Sequence, residues 1–573
     1  MPKITINNVE MVVAEGLTIL EAARLHNIEM PTLCYYPDLD IKNDCRVCVV
    51  EIEGVKGLVT SCSTRVREGM NIKTHSSRVL TARKLIVEMI LSNHDSNCTA
   101  CARNMNCELQ RLAKSLNIEK NRFESVLEYQ LIDEGNDCII RNPNRCIKCG
   151  RCVDVCRSMQ SISVLDVIGR GHQVTVSPAY GRHLNDVFCS YCGQCAAVCP
   201  VGAITEKDNT AQVWEALHDS DKHVVVQVAP AIRVSLGEDL GLPVGSIVTG
   251  QLVGALKMLG FARVFDTNFT ADLTIIEEGH EFIHRLQNGG PLPLITSCCP
   301  GWIRFAEHEY PDILKYVSSC KSPQQMFGAI IKSYYAAKAN IDPKNIFVVS
   351  IMPCTAKKYE AKRPEMSVTG TDPDVDAVLT TRELGKMIKQ MGIDFQNLTE
   401  QPFDSPSAIT TGAAAIFGVT GGVMEAALRT VKEVLDEHKL DNLDFVDVRG
   451  INGIKEATVT IKGHPYKVAV AHTLSNARKI AKQVIAGQSE YAFIEVMACP
   501  GGCVGGGGQP YGTTNKKRIK RSASIYEVDE SATIRKSHEN PIVSALYHDF
   551  LGEPCGHKSH ELLHTTYTNR KIT

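Results

Sequence analysis

Two thiols stand side by side at Cys298 and Cys299, in the stretch TSCCPGW (296–302). Adjacent side chains rarely reach one metal, so one of the pair is left for different work. The chain carries 23 cysteines in 573 residues. In a reducing compartment that number implies metal ligation rather than disulfides. Cys34, Cys45, Cys48 and Cys62 leave ten, two and thirteen residues between them. Four such thiolates suit a pair of sulfide-bridged irons or a structural zinc, although plant-type ferredoxins place four residues, not ten, before the close pair. His94, Cys98, Cys101 and Cys107 offer one imidazole and three thiols, again open to zinc or to an iron–sulfur cluster. CIKCGRCVDVC (146–156) and CSYCGQCAAVCP (189–200) form an internal repeat, the second a full bacterial two-cluster run and the first with Arg157 in the proline's place. In such pairs the fourth cysteine crosses over. One 4Fe–4S cluster is therefore expected on Cys146, Cys149, Cys152 and Cys199, the other on Cys189, Cys192, Cys195 and Cys156.

The first set and its lead-in, KITINN, MVVAEG and the helical ILEAARLHN, resemble the 2Fe–2S domains at the N-termini of hydrogenases and of the large iron–sulfur subunit of respiratory complex I. The His94 set resembles the histidine-ligated 4Fe–4S site of the same two families. Four clusters in series would form a wire, and a wire needs a terminus. Three later stretches, TSCCPGW, MPCTAKK (352–358) and EVMACPGGCVGGGGQP (495–510), resemble the signature motifs of FeFe-hydrogenases, and the likeness runs over essentially the whole chain. The resemblance implies that Cys299, Cys354, Cys499 and Cys503 hold the H-cluster. This is a 4Fe–4S cube joined through Cys503 to a two-iron unit with carbonyl, cyanide and azadithiolate ligands. Ala229, Pro230 and Ala231 match the cofactor-facing loop, where some relatives carry serine at the place of Ala231. Pro500 stands where some members have histidine. The resemblance further implies that Gln324, Met352, Pro353, Phe417 and Met497 wall the two-iron unit.

The residues fit this chemistry on their own terms. Four thiols can hold a cube, the Gly501-Gly502 and Gly505 to Gly508 runs let backbone approach a cofactor, and Lys357 can set an ammonium beside an anionic ligand. Glu278, Glu281 and Arg285 share one helical face. By themselves they read as a solvated face with an ion pair. By resemblance they continue a proton route from Cys298 through Glu278, Ser318, Glu281 and Arg285, and Cys298 is the second thiol's work. The implied activity is 2H⁺ + 2e⁻ ⇌ H₂. The competing readings are a complex-I-like or formate-dehydrogenase-like subunit, a pure electron carrier, and a hydrogenase-like electron-transfer or iron–sulfur assembly protein without H₂ activity. Cys138, Cys320 and Cys555 remain as small apolar fillers, with Cys320 close in sequence to Ser318.

These residues need a multidomain α/β chain to position them. The expected order is a β-grasp 2Fe–2S domain (1–78), a small histidine-ligated 4Fe–4S domain (79–125), a two-cluster ferredoxin domain (126–208) and a large α/β H-cluster domain (209–573). In the last, VVVQVAP, PLITSC and NIFVVSIMPC read as buried strands ending in functional loops, with helices such as GQLVGALKMLG and ADLTIIEEGHEFIHRL between them. GVTGG (418–422) is too weak a match for a dinucleotide fingerprint and reads as a loop near the cofactor. The 62 basic and 64 acidic residues nearly cancel, so nothing recruits nucleic acid or anionic membrane. The run Lys516 to Arg521 is expected to be a solvated segment. No stretch approaches the ~20 apolar residues of a membrane span, and MPKITINNVEM has no leader character, so a cytoplasmic place is expected. Expected partners are ferredoxin or diaphorase-type NAD(P)H-oxidising subunits, maturation proteins, and H₂ and protons as substrates.

Overall fold

Alternating KITI and VEMV, separated by Asn7 and Asn8 in the left-handed region, close into a hairpin of Lys3–Ile6 with Val9–Val12. The hairpin joins a five-stranded sheet ordered Val9–Val12, Lys3–Ile6, Asn71–Lys73, Val49–Ile52, Val59–Thr60. The helix Ile19–Leu25 begins at Thr18 with a reciprocal capping box to Glu21 and buries Ile19, Leu20, Ala22 and Ala23 against that sheet. This is the expected N-terminal 2Fe–2S fold. The computed structural model describes residues 1–125 and 128–571. These fall into two units, one of Met1–Ser158, Ser163–Val187 and Val198–Thr205, the other of Met159–Ile162, Phe188–Ala197 and Glu206–Thr573.

The second unit is built on two sheets. The apolar runs VVVQV and IFVVSIM form the parallel strands His223–Val228 and Ile346–Met352, flanked by Arg263–Asp266 and Ala377–Thr380, also parallel. Continuous burial along these strands follows from helices covering both faces, among them Thr249–Met258 and Thr381–Gln390. The other sheet runs Leu294–Ile295, Tyr491–Met497, His464–His472 and Ile454–Ile461, the first three parallel and the last antiparallel. The helices Asn268–Asn288 and Gly422–Asp436 pack on each other through Ala271, Ile275, Val423, Ala427 and Val431. Among the described residues no helix is long and apolar enough to cross a membrane.

The basic run behaves differently from the expectation of a solvated segment. It lies in the helix Asn515–Glu530, and Arg518 and Arg521 are buried. Arg521 donates to Glu238 Oε1 (2.6 Å) and to the carbonyl of Val504 (2.7 Å), while Lys517 pairs with Glu238 at 3.1 Å. Positions three apart on a helix share a face, and here that face supplies cations to carbonyls beside Cys503. Farther along, Arg429, with no exposed side-chain surface, clamps Asp529 through two 2.8 Å bonds and Glu425 through one of 2.7 Å. Arg429→Leu leaves buried carboxylates short of a partner. It should cost about 3–5 kcal/mol, read as a lower thermal midpoint of the full chain.

Candidate active site

Parallel strands deliver their C-terminal ends to a common side, and the loops there carry the candidate ligands. Strand His223–Val228 leads into Ala229-Pro230, Ile346–Met352 into Pro353-Cys354, Leu294–Ile295 into Cys298-Cys299, and Tyr491–Met497 into Cys499. Cys299 is the N-cap of the helix Pro300–Glu309, whose first position is proline, a residue suited to it because no amide hydrogen is required there. Cys503 opens a short turn, Cys503–Gly505.

These loops surround a cavity of about 90 Å³. Cys298, Cys299, Cys354, Cys499 and Cys503 line it, together with Ala229, Pro230, Gln324, Met352, Pro353, Lys357, Phe417 and Met497. Ala231 is fully buried and lies off this wall. Pro300, Gly502 and Gly506 of the cysteine motifs and Gly418 of the GVTGG loop, expected near the cofactor, also line it, and Thr267, Ala271, Pro323 and Ala498 complete the lining without having been anticipated.

The donors fit a metal–sulfur group on three counts. Burial and the neighbouring thiols push Cys354 and Cys499 upward, and Cys503 rises to about 12 through burial and Cys299. Four thiolates at this spot therefore need a compensating cation. The Lys357 ammonium lines the cavity, and among the described residues it donates only to the Cys298 carbonyl (3.1 Å) and Glu360 Oε2 (2.8 Å). Gln324 Oε1 is buried without a hydrogen-bond partner, although its amide nitrogen donates to Glu360 Oε2 at 3.1 Å.

Glu360 was missed, yet it sits three residues after Lys357 and also accepts from Ser322 (2.8 Å), tying three segments to the cavity. Gln227 was missed as well. Its amide donates to the Gln324 carbonyl (3.0 Å) and Ser350 Oγ (2.7 Å) and accepts from Thr267 (2.9 Å). A lone glutamine inside the apolar run VVVQV was the available signal.

Gly502 and Gly506 line the cavity, and the glycines serve a second purpose as well. A Cβ on Gly506 would lie 2.0 Å from the Pro353 carbonyl, and one on Gly507 would lie 2.1 Å from the Cys192 carbonyl. They let protein backbones meet, so that the motif carrying Cys503 stacks on the loops of Cys354 and Cys192. Gln194 Nε2 adds a 2.9 Å bond to the Gly505 carbonyl.

Beyond Cys298 a polar file leads away from the cavity. Glu278, almost wholly buried in the helix Asn268–Asn288, is pushed up to about 8 by burial and then by Glu281. Ser318 Oγ donates to Glu281 Oε2 (2.7 Å) and accepts from the Cys320 amide (3.2 Å). Its single proton is thus committed, and towards Glu278 it can only accept, which matches a protonated Glu278. Arg285 Nη2 reaches Glu281 Oε1 at 2.6 Å, and the guanidinium is held by the carbonyls of Tyr316 and Val317. Burial and Glu278 raise the Cys298 thiol well above its ordinary value, so it keeps its proton at neutral pH.

In the first unit, Cys34 lies within hydrogen-bond reach of Cys45, and Cys48 of Cys62. His94 hydrogen-bonds the Arg145 backbone, and its Nδ1 is buried without a hydrogen-bond partner, as a ligand nitrogen would be. A Cβ on Gly202 would lie 2.5 Å from Cys101 Sγ. Cys107 caps the helix Glu108–Ser115. Cys146, Cys149, Cys152 and Cys199 line one small cavity of about 20 Å³. Cys156 belongs to this unit and Cys189, Cys192 and Cys195 to the other.

Comparison with known proteins decides the family. Residues 222–507 match the iron-only hydrogenase large subunit, C-terminal domain, and 515–570 match the iron hydrogenase small subunit. Residues 2–77 match a 2Fe–2S iron–sulfur cluster binding domain, 83–122 the NADH-ubiquinone oxidoreductase-G iron–sulfur binding region, and 145–203 a 4Fe–4S dicluster domain. The NADP-reducing hydrogenase subunit HndD of Solidesulfovibrio fructosivorans is 49% identical over 583 residues, covering 100% of this chain and 99% of that protein. Iron hydrogenase 1 of Clostridium pasteurianum is 42% identical over 577 residues, covering 99% and 100%.

The chain belongs to the iron-only hydrogenases.

The solved apo FeFe-hydrogenase HydA1 from Chlamydomonas reinhardtii is 45% identical, with a TM-score of 0.58, and covers 64% of this chain and 100% of its own. Hydrogenases of this family bear iron–sulfur domains and the H-cluster, and the cavity described above lies within the matched catalytic region. The small-subunit match falls on a segment continuous with the large one. Here it returns to the segment after Ser318, where Lys321 N donates to the Leu563 carbonyl (2.7 Å) and Thr565 N to that of Ser319 (2.8 Å). Because Gly506 has no room for a side chain, Gly506→Ala should separate the Cys503 and Pro353 loops. Iron bound per chain then falls, while the 2Fe–2S electron paramagnetic signal of the N-terminal region persists.

Proposed function

We propose that this chain interconverts protons and dihydrogen at the Cys299–Cys354–Cys499–Cys503 cavity, with Cys298, Glu278, Ser318, Glu281 and Arg285 as its proton route. The observation that carries this is the joining of two features at one wall: four convergent thiols, and a fifth thiol that opens a buried acid–hydroxyl–acid file. Cys299, Cys354, Cys499 and Cys503 would hold the cofactor, a 4Fe–4S cube and a two-iron unit with carbonyl, cyanide and azadithiolate ligands, which when bound would supply the redox chemistry of the reaction. The protein does the rest. Met352, Phe417, Met497 and Pro353 exclude water from the wall, and Lys357 offers a fixed positive charge to an anionic ligand. The thiol of Cys298 holds one proton at Sγ on the cavity side, and Glu278 holds the next at its carboxyl. Ser318 passes it on by accepting from Glu278 while donating to Glu281.

Electrons are proposed to come along one 2Fe–2S cluster (Cys34, Cys45, Cys48, Cys62) and three 4Fe–4S clusters. These are held by His94 with Cys98, Cys101 and Cys107, by Cys146, Cys149, Cys152 and Cys199, and by Cys189, Cys192, Cys195 and Cys156. Full-length similarity to a protein named as a subunit of an NADP-reducing hydrogenase supports an NAD(P)-linked partner for this chain. Ferredoxin is the other donor consistent with the cluster set, and co-purification of diaphorase-type subunits distinguishes the two. Dedicated maturation proteins install the two-iron unit, and the chain acts in the cytoplasm.

Infrared carbonyl and cyanide bands together with hydrogen evolution in the matured chain test the reading, and absence of both sinks it. Cys298→Ala should retain those bands but lose about 10²–10⁴-fold in turnover. The pH dependence has a definite sign. Glu278 is protonated, and able to donate to Ser318, below about 8. Evolution should therefore fall as the pH rises through about 8, and Glu278→Gln should abolish turnover at every pH while keeping the cofactor bands.

A further inference from the structure

Glu277, next to the relay's Glu278, faces a different set of groups. It accepts from Tyr547 Oη, from His564 Nε2 (3.0 Å) and from the Cys555 amide (2.8 Å). Burial pushes Glu277 up, but these bonds outweigh it and hold the carboxylate below its usual range. An anionic Glu277 fixes the imidazole tautomer. Nε2 carries the hydrogen, and the Nδ1 lone pair faces Ser319 Oγ at 2.8 Å. Beyond Ser319 stand Cys320 and Glu281, and the ligand atoms of Glu281, Cys320 and His564 all lie within 4.8 Å of one another.

We propose that Glu281, Cys320 and His564 form an inhibitory binding site for a zinc-like divalent cation, placed astride the proton route. Three features support the choice. A histidine whose far nitrogen donates to a buried carboxylate is oriented as a metal ligand usually is. One carboxylate and one thiolate bring two negative charges to the ion beside a neutral imidazole, while Arg285 stays on the other oxygen of Glu281. The soft sulfur and imidazole select zinc over magnesium or calcium, with a fourth position left for water. A second cluster, Glu277, Cys555 and His564, shares the histidine. Its carboxylate, however, is already committed to His564 and Tyr547, which casts Glu277 as the supporting group.

Binding forms three bonds, to Oε2 of Glu281, Sγ of Cys320 and Nδ1 of His564, and releases the Cys320 thiol proton to solvent without change of oxidation state. Glu281 Oε2 is the atom to which Ser318 donates at 2.7 Å. An ion there takes that lone pair and cuts the file between Glu278 and Arg285. Glu281 keeps 14% of its side chain exposed, so an ion can enter from the Arg285 side.

The inference rests on the proton route proposed above, and its test separates the two. Zinc chloride, with magnesium chloride as control, is titrated into the cluster-loaded full chain. Hydrogen turnover and the zinc absorption edge are then both read. The expected result is inhibition by zinc alone, reversed by chelator, with one sulfur at about 2.3 Å and lighter N/O ligands at about 2.0 Å around the ion. Cys320→Ala should turn over normally without zinc and need at least about tenfold more zinc for half-inhibition. Glu277→Gln should show a similar loss of zinc affinity. Equal zinc sensitivity of Cys320→Ala and the parent, or zinc bound by several sulfurs, overturns the site. Zinc bound with a single sulfur and full turnover retained upholds the site and overturns the route through Glu281.

Discussion

Four thiols in a nearly dry cavity repel one another as soon as they ionise, and the catalytic unit is arranged around that repulsion. Burial pushes each candidate ligand upward, and neighbouring thiols add to it at Cys354, Cys499 and Cys503, so the quartet is stable as thiolates only against a cation. The protein supplies part of the compensation. Lys357 reaches the cavity from the first turn of its helix, and Arg518 and Arg521 are buried beside the Cys503 turn. A bound iron–sulfur core would supply the remainder. Three strand ends bring the four thiols together: Cys299 and Cys354 each follow their own strand, while Cys499 and Cys503 share the loop after Tyr491–Met497.

Electrons and protons need different media, and the proposed function requires the unit to keep them apart. Around the thiols the surroundings are apolar or backbone, and the glycine run lets the Cys503, Cys354 and Cys192 loops meet without side chains between them. From Cys298 outward the proposed route is polar: Glu281 accepts from both Ser318 and Arg285, while one oxygen of the buried Glu278 has no hydrogen-bond partner among the described residues. The raised Glu278 belongs to the second medium. A carboxyl that stays neutral can both accept and donate, whereas a buried carboxylate could only accept. The return of the C-terminal segment onto Ser319 to Lys321 supports this geometry from outside. The match of that segment to a small subunit gives it a physical role in the chain.

Much of this was legible in the residues themselves. The cysteine spacings announced iron–sulfur chemistry, the apolar runs marked the parallel strands, and the Glu278, Glu281, Arg285 spacing placed three groups on one helix face. What failed to show was whatever depends on partners distant in sequence. Lys516 to Arg521 looked like a solvated run because charge alone says nothing about Glu238, some 280 residues away, or about the Val504 carbonyl. Glu360 and Gln227 looked ordinary because their importance lies in holding Lys357, Gln324 and Thr267 in register.

The amino-acid sequence by itself determined the chemistry: which atoms can bind metal, which elements bear them, and which family they belong to. Those properties reside in residue types and short spacings. Only the tertiary structure decided which thiols share a cavity, which carboxyl is neutral, why the glycines are glycine, and that His564 stands beside Glu277 and the relay. These depend on burial and on through-space distance, and both arise only when strand ends and helices far apart in the chain are packed together.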